Sequence, residues 1–466
     1  MDTARGPRSR FAARLALITA LALAIRVAYV LIAHRDELPA ADDVYYHWQG
    51  LLFAAGDWFI DPVAKVYLGE NRPSAAHPPL YGMYLGLVSV LGGDTPLWHR
   101  LASCLLGTAT VAVVGIVGRK LGGARVGLVA AAIAAVYPNL WINDALLMSE
   151  SLYALTIAGV LWASYEYWQR PRPGAAALLG LLVALSALAR AEGLLLFGLL
   201  VLPLVLLARD QPMNRRLQQL AVAGGAGLVF LGPWVGANLV RFEHPIVFGT
   251  GVGQVTAIGS CDKTFAGDRL GYWDSECALL DWPEGCDADE ALARNAGDTR
   301  IPACDESIVD KAAREQGTRY LKDHLGRLPV VVAARVGRAW DVYRPIQGIE
   351  LNATFERRGL WTSRAALASY FVLLVAAVYG CVRLAREKVT LLPFAALAVM
   401  ISVTAAMSFG ITRYRVPIDV ALPILAAVGG VAVLRDRNRP PAREVSALPE
   451  PSPAPAGSPL SSGGAG

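Results

Sequence analysis

Ten mostly apolar runs punctuate this chain, at residues 15–33, 101–118, 124–140, 146–168, 174–189, 194–208, 217–237, 365–384, 390–409 and 418–434. A helix of roughly 20 apolar residues crosses a hydrocarbon layer about 30 Å thick, and inside that layer every backbone polar group must be satisfied within the segment. Runs of this length, so often repeated, predict an all-α integral membrane protein of about ten transmembrane helices. Composition agrees: 55% of the 466 residues are hydrophobic and 17% charged, with a mean hydropathy of +0.41, too apolar for a soluble domain. The net charge of +5 is not a nucleic-acid footprint, because the basic residues are scattered between apolar runs and form no stripe. Runs 174–189 and 194–208 are short and broken by Gly and Pro, so a tight hairpin reaching less than fully across is a second reading of them.

Lys and Arg in the short connections set the orientation. Arg5, Arg8, Arg10 and Arg14, then Arg119, Lys120 and Arg125, Arg170 and Arg172, Arg209, Arg215 and Arg216, Arg383, Arg386 and Lys388, and Arg435, Arg437, Arg439 and Arg443 all fall on one side. That side is expected to be cytoplasmic, with both termini on it, in the plasma (inner) membrane. The opposite face carries two long loops, 34–100 and 238–364, which hold most of the Asp and Glu. Run 15–33 has no clear small-residue cleavage site after it and is taken as the first span. The organisation expected is a cytoplasmic N-terminus (1–14), an N-terminal membrane region (15–237) containing the first outer loop, the outer loop 238–364, C-terminal helices (365–434) and a Pro/Ala/Ser/Gly-rich cytoplasmic tail (435–466) too poor in large apolar residues to order itself. Segments 80–91, 307–328 and 330–340 carry apolar and charged residues at helical spacing and predict interfacial helices.

Cysteine usage matches the orientation. Cys261, Cys277, Cys286 and Cys304 share one stretch of the second outer loop, where an oxidising compartment would pair them in any of three ways. Zinc is the competing reading, but the spacing lacks a close C-x-x-C pair and the neighbours are acidic.

The first outer loop carries the chemistry-bearing pattern. Asp42-Asp43-Val44-Tyr45-Tyr46-His47 stands just past the first span, and His77-Pro78-Pro79-Leu80 follows later. On a helix, Tyr46 lies one turn beyond Asp42 and His47 one turn beyond Asp43, so the pair either caps a helix in solvent or forms a polar, aromatic pocket. Arg100, Arg190, Arg413 and Arg415 fall at the outer ends of spans, where a guanidinium either meets a phosphate bidentately or snorkels to lipid headgroups. Arg26 lies inside the first span but close enough to its outer end to snorkel. Glu150 opens the fourth run as an acceptor-site carboxylate, an arginine partner or a helix-start charge.

The acidic pair after the first span, the H-P-P-L motif at His77, Arg100 opening the second run, Met148-Ser149-Glu150, Pro233-Trp234 with Asn238, and Arg413-Tyr414-Arg415-Val416-Pro417 before the last run occur in an order that resembles GT-C glycosyltransferases of the protein O-mannosyltransferase and aminoarabinose transferase type (the glycosyltransferase family 39 and RgtA/B/C/D-like group). This sequence has Asp43 where many relatives have Glu, and His77 where some have Lys or Arg. The resemblance implies a polyprenyl-phosphate sugar donor, membrane lipids around it, and inverting transfer to a cell-envelope acceptor (lipid, glycan or protein) on the outer face. Asp42 would be the general base, with Asp43 beside it, and His77, Arg100, Glu150, Arg190, Arg413, Tyr414 and Arg415 would bind substrate. No cofactor is required on this reading, and a divalent metal near Asp42 and Asp43 stays open. The alternative class is a secondary transporter or lipid-linked sugar flippase, which would bury charges mid-span and break helices at the midplane.

Overall fold

The computed structural model describes residues 7–39, 42–208, 211–278, 283, 286 and 304–437. Arg5, Arg209, Arg439, Arg443 and almost all of the expected tail lie outside them. The described residues are predominantly helical, and the one extended pairing among them is an isolated bridge between Ile60 and Pro73. The N-terminal half consists of α1 (Pro7–Ala33), α2 (Asp42–Ala55), α3 (Pro62–Leu68), α4 (Leu80–Val90), α5 (Pro96–Val136), α6 (Pro138–Ala145), α7 (Glu150–Gln169), α8 (Pro173–Ala189), α9 (Leu202–Leu206) and α10 (Met213–Arg241). The second outer loop contributes α11 (Gly251–Ile258), α12 (Asp262–Phe265), α13 (Glu306–Asp323), α14 (Leu328–Ala339) and α15 (Pro345–Phe355). The chain closes with α16 (Leu360–Arg386), α17 (Leu392–Met407) and α18 (Val416–Arg437).

Every run expected to be a span is helical over most of its length. Five helices are long and apolar enough to cross a membrane, Ser9–Ala33, Pro96–Val136, Met213–Arg241, Leu360–Arg386 and Thr412–Asp436, and Pro173–Ala189, Ala191–Leu206 and Leu392–Met407 are shorter apolar helices. Runs 101–118 and 124–140 meet inside α5 at Gly123, whose φ of 85° lies in the left-handed region and reverses the chain. The two limbs then pack so closely that a Cβ on Gly127 would stand 2.5 Å from the Gly115 carbonyl oxygen. Run 174–189 stops where Arg190 turns extended (φ −150°, ψ 128°). Residues 191–206 fold back as 3₁₀, π and α turns around Pro203, the tight hairpin that the short run allowed.

Two packing features place the first outer loop. Helix α2 lies on α4 with almost no side chain between them: a Cβ on Gly86 would be 2.6 Å from Phe53 Cβ, and one on Gly50 2.9 Å from Leu85 Cβ. Behind them, Arg26 of α1 does not snorkel. It is fully buried and pairs with Asp144 at the end of α6 at 2.8 Å, because Gly107 leaves the room that the carboxylate occupies.

The second outer loop is cross-linked by Cys261–Cys277 and Cys286–Cys304, one of the three connectivities open from the sequence. It docks on the first loop through Glu306, whose Oε2 accepts from the Ala75 backbone N–H at 2.9 Å and the Thr250 hydroxyl at 2.7 Å.

Candidate active site

Asp42 and Asp43 open α2 at successive positions, about 100° apart around the helix axis, and therefore face different surroundings. Asp42 keeps 37% of its side chain exposed and points into a charged cluster, with Oδ2 3.4 Å from Arg413 Nη1 and Oδ1 3.8 Å from His77 Nε2. Asp43 is buried. Burial pushes its carboxyl up to about 6, with the Arg100 guanidinium opposing and the Asp42 charge adding to the rise. The His77 ring sits between Tyr45 and Tyr46, at centroid distances of 4.7 and 4.8 Å. Burial lowers its basicity from the ordinary histidine range, with Asp42 opposing and Arg413 and Arg190 adding to the fall.

Glu150 is the hub of the cluster. Its Oε1 accepts from both Arg190 Nη1 and Arg413 Nε at 2.6 Å, and its side chain is 1% exposed. Of the three roles open to it, the structure shows arginine pairing. Arg190 reaches this point because the chain turns there between α8 and the return limb, and its Nε also donates to Glu192 at 2.6 Å. Arg413 comes from the 3₁₀ turn Thr412–Arg415 that leads into α18. Tyr414 flanks the pair, with the Arg190 guanidinium 5.7 Å from its ring centre.

Two further residues join that the sequence reading did not single out. Glu356 Oε1 lies 3.7 Å from Arg413 Nη1, and its Oε2 lies 3.2 Å from Arg358 Nε. Arg358 Nη2 donates to Asn143 Oδ1 at 2.8 Å. Burial raises the Glu356 carboxyl, with Arg413 and Arg358 opposing. The pair stands in a Glu-Arg-Arg triplet just ahead of the eighth run, the same outer-end placement that marked the four arginines, and that signal was available.

Asp42, His77, Glu150, Arg190, Arg413 and Tyr414 thus come together, and two expected phosphate ligands do not. Arg100 is fully buried, its Nε donating to the carbonyl of Ala145 (3.0 Å) and its Nη1 to those of His34 (3.0 Å) and Glu37 (2.8 Å), while Nη2 has no partner among the described residues. It clamps the segment that delivers α2 and does not join the Asp42 cluster. Arg415 is two residues past Arg413 in a helix of three residues per turn and so points the other way. It pairs with Asp341 at 2.5 Å and Asp419 at 3.3 Å, with its guanidinium 3.7 Å from the Tyr370 ring centre. Among the described residues no group of three or more His, Cys, Asp or Glu converges as a ligand set.

An apolar groove of about 760 Å³ opens between α4, α5, α7 and α8, lined by Leu80, Leu87, Ile116, Leu152, Trp162 and Leu185 among others. Leu80, Leu152 and Leu185 lie within five residues of His77, Glu150 and Arg190 in the chain, though the charged residues themselves do not line the groove.

Residues 76–235 match the family model of dolichyl-phosphate-mannose-protein mannosyltransferases. The oligosaccharyltransferase of Archaeoglobus fulgidus, solved with zinc and sulfate, aligns with 91% of this chain and 49% of its own at 12% identity and a TM-score of 0.52. The same archaeal enzyme with an inhibitory peptide and a dolichol-phosphate aligns with 92% of this chain and 51% of its own, again at 12% identity and 0.52. ArnT from Cupriavidus metallidurans bound to undecaprenyl phosphate aligns over 90% of this chain and 79% of that one, at 19% identity and a TM-score of 0.44. The chain spans about half the length of the archaeal enzyme. No curated protein matches it in sequence. The class is therefore a multi-pass membrane protein with the GT-C glycosyltransferase fold. Within that fold, the stretch 76–235 is similar to the dolichyl-phosphate-mannose-protein mannosyltransferases.

Proposed function

We propose that this chain transfers a sugar from a polyprenyl phosphate to a hydroxyl of a cell-envelope acceptor at the outer face of the plasma membrane, with inversion and with Asp42 as general base. The observation that carries the reading is the meeting of a partly exposed carboxylate, Asp42, with the arginines Arg190 and Arg413 around Glu150, in a molecule that also holds an apolar groove. The groove suits a polyprenyl tail, and the fold neighbour solved with dolichol-phosphate supports a lipid-linked donor. Arg190 and Arg413 each have five N–H groups; Glu150 and Glu192 hold them in place, and the Arg413 Nη groups make only long contacts to Asp42, at 3.4 and 3.5 Å. The remaining N–H groups are the ones that would receive the donor phosphate. The acceptor oxygen attacks the anomeric carbon from the Asp42 side, its proton passes to the Asp42 carboxylate, and the bond between that carbon and the phosphate oxygen breaks. Polyprenyl phosphate leaves as a stable anion beside the arginines, so no general acid is needed. The chemistry calls for no cofactor.

The outward orientation rests on the distribution of Lys and Arg. The transporter alternative expects charges buried mid-span. Arg26–Asp144 and the Arg415 network with Asp341 and Asp419 are buried, but neither lines the groove. Purified protein given a panel of polyprenyl-phosphate sugars should consume one of them with inversion at the anomeric carbon. Movement of intact donor between leaflets without consumption would establish the flippase instead.

A further inference from the structure

The ion pairs around Arg413 form one connected set. Arg413 meets Asp42, Glu150 and Glu356; Glu150 also meets Arg190, Arg190 meets Glu192, and Glu356 meets Arg358. The His77 ring touches the set at Asp42. Four carboxylates therefore stand against three guanidiniums, and with the histidine ring uncharged the set is one negative charge in excess. A phosphodiester entering there adds a further anion.

The four carboxylates are not equally committed. Against the cost of burial, Arg413 and Arg190 hold the Glu150 carboxyl down to about 2, each through a bond of 2.6 Å to Oε1. Glu192 accepts from Arg190 Nε at 2.6 Å. Asp42 keeps 37% of its side chain exposed, where water screens its charge. Glu356 has neither kind of support. Its side chain is 4% exposed, Oε1 lies 3.7 Å from Arg413 Nη1, and Oε2, 3.2 Å from Arg358 Nε, accepts no hydrogen bond among the described residues. Burial raises its affinity for a proton, with Arg413 and Arg358 opposing and Glu150 and Asp42 adding to the rise. Tyr272, whose hydroxyl donates to Asn352 Oδ1 at 3.1 Å, also faces it.

Placement couples this carboxyl to the donor. A phosphate on Arg413 would take the Nη groups that now face Asp42 and Glu356, leaving several anions on one guanidinium. A like charge so close disfavours the ionised form of a carboxyl, and Asp42, as the base, has to stay ionised.

We infer that Glu356 takes up one proton as the donor phosphate enters and holds it through transfer, a positioning residue that frees Arg413 to serve the phosphate. The proton comes from water and returns to it when polyprenyl phosphate leaves, separate from the acceptor proton that passes to Asp42. Cleavage of the bond to the anomeric carbon gives the phosphate a second negative charge, so a neutral Glu356 is the better neighbour at that step too. Naming the anion as the donor phosphate rests on the transferase reading above, while the coupling of an anion on Arg413 to a proton on Glu356 does not.

The full chain in detergent is titrated, over a series of pH values, with undecaprenyl methyl phosphate, a diester with no second acidic proton of its own. The bound state holds the proton more tightly than the free state, so wild-type affinity should fall as pH rises, by about tenfold per pH unit where it is steepest, the slope of one proton. Glu356→Gln, neutral at every pH, should lose that slope and bind more tightly than wild type at the alkaline end. A merely structural role would change affinity by the same factor throughout. Any contribution from Asp43 or His77 is common to the two proteins, so their difference is the readout. Arg358→Gln, which removes a cation opposing protonation, should move the fall in affinity to higher pH. Heats of binding in two buffers of different ionisation enthalpy should show proton uptake by wild type that Glu356→Gln lacks. Equal slopes in wild type and Glu356→Gln, or no proton uptake by wild type, overturn the inference and leave the transferase reading standing. A slope abolished by Glu356→Gln in a chain that consumes no polyprenyl-phosphate sugar would keep the coupling and sink the transferase reading.

Discussion

Arg413 and Arg415 leave one 3₁₀ turn in opposite directions, and their surroundings show what separates a working arginine from a structural one. Arg415 is enclosed. Asp341 and Asp419 neutralise it, Tyr370 covers its face, and the Tyr137 hydroxyl donates to Asp419 at 2.6 Å. Arg413 shares Glu150 with Arg190 and reaches Asp42 and Glu356 only at 3.4 and 3.7 Å. Its network has slack, long contacts that a phosphate oxygen could replace, and one of its partners is half exposed. Position at a helix end is the same for both; what differs is access, since Arg413 keeps 13% of its side chain exposed and Arg415 none.

The comparison breaks most visibly at Arg415. Arg415→Ala strands two buried carboxylates and should cost about 3–5 kcal/mol, read as a large loss of thermal stability in detergent with little folded protein recovered. A variant that melts like wild type would show that the buried network is not structural. Removing either disulfide should cost about 2–4 kcal/mol. Non-reducing peptide mapping should find Cys261 with Cys277 and Cys286 with Cys304, and any other pairing contradicts the loop described here. Arg413→Ala should melt near wild type while donor affinity and turnover fall together, by roughly 10- to 100-fold for a charged hydrogen bond of about 1.5–3 kcal/mol. A fall in turnover alone, with donor binding intact, would move the phosphate away from Arg413.

The smallest effect concerns the joint between the outer loops. Burial raises the Glu306 carboxyl from its ordinary 4.5 to about 7, with Asp61 adding to the rise and hydrogen bonds from Ser74, Ala75 and Thr250 opposing it. Tyr45, whose hydroxyl bonds Ser74, and Arg241, which donates to the Ser74 carbonyl, stand on the same joint. The folded state thus binds the proton more tightly than the unfolded one. Glu306 contributes its stability fully below about pH 4.5, and that contribution is lost as pH rises through about 7. Glu306→Gln should leave stability at pH 5 unchanged and raise it at pH 8, and a variant equally stable with wild type at both would remove Glu306 as the source of the pH dependence.

Much of this architecture was legible in the chain because apolar runs and turn residues report local structure: α1, α8, α10, α16 and α18 fall where hydropathy places them. The acidic pair, His77, Glu150 and Arg413 were legible as a motif order, and Arg190 by its place at the end of a run. Arg100 and Arg415 were not separable from them, since the groups that occupy them, the carbonyls of His34, Glu37 and Ala145 and the carboxylate of Asp341, arrive from distant segments. Neither the way Asp42 and Asp43 diverge nor the pairing of Arg26 with Asp144 could be read before the helices were packed.

The account stands on Asp42. Asn keeps the size of Asp and much of its hydrogen bonding but cannot take the acceptor's proton, so in Asp42→Asn the loss should appear in turnover, with expression and donor binding nearly intact. A general base contributes about 10² to 10⁴ in rate, so the account predicts that single-turnover transfer from the preferred polyprenyl-phosphate sugar falls by at least about 10². Asp43→Asn, altering a carboxylate turned towards Arg100, should be milder in the same assay. Asp42→Asn retaining more than about a tenth of wild-type turnover would contradict the account and return Asp42 to the role of a helix cap.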